Sequence, residues 1–487
     1  MFASVFNRNN AKIAILAATA ATLSLSSCAK KNDDDDNNKL PSQIVEVSGE
    51  ITTNTTWTAD KVYRLNGFVR VGEDKTKDGQ PTKKATLTIE PGTIIIGDRE
   101  TKGTLIVQRG SKIIANGTPE KPIVMTSERP AGLRESGDWG GLVICGMAKN
   151  NLPGGVGELE GQYGAFHGGN NDDDNSGSLK YVRIEFAGIP INPNQEVNSL
   201  TLGSVGRGTV IENVMCSFGL DDAFEWFGGT VNCKNLIAYS GLDDDLDVDN
   251  GFSGNVQFAL CIRDKARADI SGSNGFEVDN DGAGTPANPF TSATFSNITI
   301  IGPKATGTTE IDQRFGSAAH LRRNNKLKIH NTVMTGYPIG ALIDGGSTSQ
   351  NALNGDLVLK NVYLAGVKGF GSNGYGDGTP TAPRAALVSR SAVDGFNVQE
   401  WFLKSANKNR LFGTYEEAGI SLNIFDGNFS NGKPVVLPAS GSPLLSGADF
   451  TGLRGFQTVS FIGAFGTSDW TAGWAEWKPQ NKVYYQE

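Results

Sequence analysis

The 487-residue chain carries 44 basic and 52 acidic side chains for a net charge of −8, with 62 glycines and 19 prolines. Glycine and proline together make up about a sixth of the residues, which disfavours long helices and points to short strands joined by turns. The acidic balance, without a basic stripe carrying interleaved aromatics, excludes nucleic acid as a partner. Only three histidines occur (His167, His320 and His330), which argues against a histidine-rich zinc site.

At the start of the chain, Arg8 and Lys12 precede an apolar run over 13–25, too short to span a bilayer. Residues 1–27 therefore read as a signal peptide. The run closes in Leu25-Ser26-Ser27-Cys28, which resembles a bacterial lipobox, and the resemblance implies lipidation at Cys28. Residues 28–44 contain Asp33-Asp34-Asp35-Asp36 between asparagines and lysines, a composition that cannot bury a core and reads as a solvated tether. This acidic run resembles the export signal of Bacteroidetes surface lipoproteins. The resemblance implies an outer-membrane protein, lipid-anchored and exposed at the cell surface. Four further cysteines, Cys145, Cys216, Cys233 and Cys261, are too sparse to dictate a disulfide framework.

From residue 45 to 393 the chain repeats itself. Asparagine precedes an apolar strand in "IENVMCSFG", "CKNLIAYSG", "SGNVQFALC", "FSNITIIGP", "IHNTVMTGY" and "LKNVYLAGV", that is at Asn213, Asn235, Asn255, Asn297, Asn331 and Asn361. Each unit holds about three short alternating strands, the content of one coil of a right-handed parallel β-helix. Asparagine tolerates the left-handed turn between strands, and its amide can bond the next coil, so all six are expected in one ladder. "LTIEPGTIIIG", "GTLIVQRGSKIIANGTPEKPIVMTS" and "GDWGGLVICG" resemble the opening coils of pectin-lyase-like β-helices. The expected class is all-β.

Three stretches, "GLDDAFEWFGG", "GLDDDLDVDNG" and "SNGFEVDNDG", align within this body. Alternation in a strand sends Phe224/Trp226, Leu246/Val248 and Phe276/Val278 to the core. Glu225, Asp247 and Glu277 then form an outward column that Thr201 precedes and His320 follows, with Asp249, Asp279 and Arg322 beside it. Coils stack about 4.8 Å apart. Carboxylates that close bind a cation, take up protons or splay into water. Ca²⁺ is the cation that suits oxygen-only ligands, with Asp247, Asp249, Glu277 and Asp279 as its candidates. Asp221-Asp222 and Asp243-Asp244-Asp245, in the turn before this strand, either shape the turn or extend such a site. The loop that places His167 near Asp172, Asp173 and Asp174 is a weaker cation candidate, since EF-hand spacing is absent.

Residues 394–487 change character. "NVQEWFLKSANKNR" reads as a short helix, and the segment resembles the closing part of Bacteroidetes secreted proteins, with the expected task of capping the open end of the coil stack. Trp470, Trp474 and Trp477 either pack there or form a platform for sugars.

The first functional expectation is binding of an extracellular polymer, a glycan, through Glu225, Asp249, Asp279 and Arg322. The lipoprotein resemblance implies work beside a TonB-dependent importer in the outer membrane. The second is an enzyme. A polysaccharide lyase would use Ca²⁺ with Arg322 as base, and a glycoside hydrolase would use a carboxylate pair such as Asp247 and Glu277, with His320 close by. The third is an adhesin or stalk in which the column is only a solvated face.

Overall fold

Strands of four to nine residues, rich in Ile, Val and Leu, recur from Gln43 onward, each followed by a glycine- or asparagine-bearing turn. In the computed structural model they build a parallel β-helix. The structure describes residues 40–486 apart from 78, 367–369, 373–384, 426–428 and 430. The signal peptide, Cys28 and most of the tether lie outside the described residues.

Two long sheets run the length of the helix. The first is 15-stranded and leads from Gln43–Val47 to Arg410–Phe412; the second is 12-stranded and leads from Glu50–Ile51 through Ala385–Arg390 to Phe370–Ser372. Neighbouring strands in both are parallel and come from successive coils, as in the pairing of Phe224–Phe227 with Leu246–Asp249. Inward side chains form one continuous core in which Phe224, Trp226, Leu246, Val248, Phe276 and Val278 all take part. Each such side chain contributes about 1.5–3 kcal/mol by burial. That burial locks the register, because a slip by one residue would turn charges inward.

The asparagine ladder forms with one correction. Asn213, Asn235, Asn297, Asn331 and Asn361 all hold positive φ, between 47° and 60°. The pairings that flank them place them on one line along the first sheet. Asn255 is not on that line. It pairs with Thr294, and the ladder position of its strand belongs to Phe258, with φ 62°. This strand and its neighbours are each eight residues long with the bend at the fourth, and Asn255 is the first residue of its strand, so it sits at the entry and not at the bend.

The C-terminal segment does more than cap. Helix Val398–Leu403 places Val398 and Phe402 in the main core. After Arg410–Phe412 the chain doubles back along the outer face of the first sheet. Its carbonyls at Gly447, Asp449 and Phe461 accept from the ladder amides of Asn361 (2.7 Å), Asn331 (3.1 Å) and Asn297 (2.8 Å). Farther on, Trp474 and Trp477 are buried with Met215, Ile237, Tyr239, Leu260 and Ile262. Tyr484 and Tyr485 then pack on Val62, Ile94, Ile96 and Val124 of the early coils, and the Gln486 amide donates to the Pro41 carbonyl at 2.9 Å. The segment is a belt. Trp474 and Trp477 serve packing, while Trp470 stays half-buried and stacks on Phe465 at 5.2 Å.

The four described cysteines are free and buried. No helix among the described residues is long and apolar enough to cross a membrane.

Candidate functional site

The outer face of the second sheet differs along its length. Over the early coils, Ile106, Val143 and Cys145 are covered by Leu159, Tyr163, Ala165 and Val197 from two insertions, one on each side of the coil strand Gly177–Glu185 and each carrying a short hairpin. Beyond that cover the expected column appears in register: Thr201 opposite Glu225, Glu225 opposite Asp247, Asp247 opposite Glu277, and Glu277 opposite His320.

A second ladder stands three residues earlier on each coil, at Asn198, Asp222, Asp244 and Asn274. The Asp222 carboxylate accepts from the Asp244 amide at 2.8 Å, that of Asp244 from the Asn274 amide, and the Asn274 carbonyl oxygen from the Ser317 amide at 2.9 Å. The side-chain amides of Asn198 and Asn274 also donate to Glu225 and Glu277. In the two middle coils aspartate replaces asparagine, so that donor is missing. Asp222, Asp244 and Asp247 instead bring carboxylate oxygens within 4.8 Å of one another, and Asp221, Asp222 and Asp243 form an overlapping group. These aspartates both shape the turn and concentrate charge.

Electrostatics follow from that geometry. Burial, reinforced by neighbouring carboxylates, pushes Asp221, Asp222, Glu225, Asp244 and Asp247 well above the usual carboxylate range. Burial with Asp279 nearby pushes Asp249 up to about 7, and burial with Asp269 nearby pushes Asp243 to about 7. Glu160 and Glu196, one from each covering insertion, are raised as well, chiefly by burial. Their place beside the acidic column was not legible, because an insertion has no coil partner to align with.

Beneath the turn, Arg263 is fully buried against Asp245 (3.0 Å) and donates to the carbonyls of Leu242 (2.7 Å) and Asp243 (2.6 Å). Tyr337 adds a bond to Asp245 at 3.3 Å. Removing one partner of such a pair costs about 3–5 kcal/mol. The pair therefore holds the acidic turn in one shape.

The far end of the column is compensated. Arg322 grips Asp279 at 2.9 and 3.0 Å and also bonds Glu277; Arg323 reaches Asp279 at 2.6 Å. His320 lies 3.1 Å from Asp344, which pairs in turn with Arg390 at 3.1 Å. Burial alone would raise Glu277, yet its bond to His320 and the Arg322 charge take it below the usual range. Burial likewise opposes the charge of Arg322 and His320, but their carboxylate partners raise both.

The structure thus separates residues that the sequence grouped. Of the four candidate cation ligands only Asp247 joins a ligand-like group. Glu277 and Asp279 are engaged by the arginines, and the Asp249 carboxylate accepts from the Asn250 backbone and side chain at 2.5 and 3.0 Å. The oxygen-only set that fits Ca²⁺ is Asp222, Asp244 and Asp247, with Asp221 and Asp243 adjoining. The His167 loop forms no such group among the described residues. His167 is buried 2.9 Å from the Ser204 hydroxyl, while Asp172 pairs with Lys149 and Asp173 with Arg207.

Two long sheets of stacked parallel coils around one continuous core define a parallel β-helix protein. The chain belongs to the family described as the pectate-lyase like beta helix domain, whose model matches residues 49–402. Among solved structures it is similar to the crystal structure of pectate lyase Pel9A, with 11% identity over 88% of this chain and 98% of that one and a TM-score of 0.34. That likeness is too loose to carry residue roles across. No curated protein matches the sequence.

Proposed function

We propose that the protein is a cell-surface lipoprotein that binds, and helps process, an extracellular glycan across the acidic stretch of the second sheet. The observation that supports this most is the gathering of Asp222, Asp244 and Asp247 within 4.8 Å, with Arg322 bound to Glu277 on the coil beside them. Ca²⁺ held there would supply positive charge to a carboxylate-bearing sugar. Arg322 and Arg323 extend that positive field toward the later coils. Arg322 is kept protonated by Asp279 and Glu277, so its contribution is charge and not proton abstraction. The lipobox-like Cys28 and the acidic run after it support anchoring in the outer membrane, facing outward beside an importer.

A glycoside hydrolase is the second reading, favoured by one observation. Asp247 and Glu277 are neighbours in register, and their environments move their pKa values in opposite directions. Such a split assigns a proton donor and an ionised partner.

Titration calorimetry with trigalacturonate, with Ca²⁺ and with chelator, tests the first reading. Ca²⁺-dependent binding that Asp244→Asn/Asp247→Asn removes supports it; no binding in either buffer overturns the acidic-glycan site. New reducing ends on a neutral polysaccharide, lost in Glu277→Gln, would favour the hydrolase. Protease access on intact cells, and loss of membrane association in Cys28→Ala, test the location.

A further inference from the structure

The outward column of the second sheet continues past its acidic part in both directions. It runs strand by strand from Val143 and Thr201 through the acidic positions and His320 to Leu342 and Val388. Along it only Asp247, Glu277 and His320 are part-exposed, and Glu225 is all but closed at 8%. We infer that this face takes a short acidic oligosaccharide of about three or four units, laid along the helix axis, and excludes the interior of a long polymer. The inference rests on the glycan reading above and fixes the length of chain that such a site admits.

Both ends of the open stretch are shut. At the early end Val143 is fully buried beneath the two insertions, and Thr201, one coil on, is only 2% exposed. That cover is pinned in place. Arg70 donates to the Tyr163 carbonyl at 2.6 Å, Lys102 to the Ile191 carbonyl at 3.0 Å, and the Asn192 side-chain amide to the Gly161 carbonyl at 3.1 Å, which ties one insertion to the other. At the late end Leu342 and Val388 continue the column and pack with Ile339, apart from the main core, at 0% and 1% exposure. Apolar side chains that point away from the core and still meet no solvent lie under cover.

The distance between the covers sets the length. Three open coils and the nearly closed one at Glu225 span about 14–19 Å at about 4.8 Å per coil. One pyranose repeat of a 1,4-linked chain is close to one coil spacing, so the floor matches three or four units. The groups that would meet a carboxylate-bearing sugar, the aspartate gathering around Asp247 and the Arg322 guanidinium, are spread along the axis, two coils apart. A chain that uses both therefore runs along the axis and not across it. Any further unit meets the insertions at one end or the cover over Leu342 at the other. Chains this short arise when a polymer is cut at internal bonds, so the reaction that supplies the site is an endo-acting depolymerisation.

Titration calorimetry of the wild type in Ca²⁺ with di-, tri-, tetra- and hexagalacturonate, and with polygalacturonate, tests the limit. Affinity is expected to rise about 10-fold from the dimer to the trimer, to peak at the trimer or tetramer, and to fall about 10-fold at the hexamer, with the polymer weaker still. Replacing residues 190–196 by two glycines removes the hairpin of one insertion while keeping Val197; the hexamer should then bind as tightly as the tetramer. A hexamer or polymer that binds the wild type as tightly as the tetramer overturns the inference, as does a variant that melts like the wild type and gains nothing for the hexamer. No binding at any length overturns the glycan reading and this inference with it, whereas binding without a length limit overturns this inference alone.

Discussion

The two sheets share a backbone but differ in what lies outside them. The first presents Met215, Ile237, Tyr239, Leu260 and Ile262 outward and is closed over by Phe465, Trp474 and Trp477 of the belt. The second, at the same coils, presents Glu225, Asp247 and Asp249, where burial and mutual repulsion raise every one of them. A β-helix thus need not distribute its stability evenly. Apolar closure on one side allows unfavourable charge to persist on the other, and charge held out of balance is what attracts a counter-charge.

Breaking the covered side should have the largest effect. Trp474→Ala removes a ring only 2% exposed, and should cost about 3–5 kcal/mol in a denaturant melt, with or without chelator. The ladder comes next. Asn331 holds φ 47°, donates to the Asp449 carbonyl and accepts from its amide. Asn331→Ala should therefore cost about 2–3 kcal/mol, whereas Asn255→Ala, off the ladder and losing only its bond to the Arg454 carbonyl, should cost about 0.5–1.5.

The open side should respond with the opposite sign. Asn198 and Asn274 show that asparagine fits the turn ladder, so Asp244→Asn keeps the acceptor and removes a repelling charge. In chelator it should raise the melting point, by an amount equivalent to about 1 kcal/mol, and reduce stabilisation by Ca²⁺. If wild-type melting is the same with chelator and with Ca²⁺, the carboxylate group holds no cation.

A pH series sharpens the comparison most gently. Burial pushes Asp243 and Asp249 up to about 7 in the folded state, against the ordinary 3.8 of an unfolded aspartate, so the folded state binds protons that the unfolded state has released. Stability in chelator should therefore fall as pH rises from about 4 through 7, with the other raised carboxylates of the column acting in the same direction. Melting temperature followed from pH 8 down to pH 5 should rise, and the rise should shrink in Asp243→Asn/Asp249→Asn. Glu277 and Asp344, both lowered, bring the ordinary acid loss only below about pH 4.

Much of this was readable before any coordinates. The coil, the core-facing Phe224, Trp226, Leu246, Val248, Phe276 and Val278, and the column from Thr201 to His320 follow from alternation and from repeats that align. The belt was not legible, since residues 413–486 have no repeat and no sheet partner that would reveal their path. Asn255 misled because a motif locates a residue only relative to its strand, and here the asparagine is the first residue of the strand where the ladder takes the fourth. The offset of three residues between Asn198, Asp222, Asp244, Asn274 and the column was visible as a repeat. What it could not disclose is that the two aspartates turn their oxygens toward Asp247 while Asp249 turns to Asn250.

The contacts between the belt and the helix have a consequence for how the molecule comes apart. A solenoid in which each repeat touches only its neighbours frays from its ends, one unit at a time. Here Asp449 is bound to Asn331, Gln457 to Gln257, Trp474 packs with residues near 215–239, and Gln486 is bound to Pro41. These links close loops of more than a hundred residues, and together they tie the final coil to the first. Loss of an end coil loosens the belt over all the others, so unfolding is expected as one cooperative event, and a protease that nicks the belt would release the whole stack to unzip.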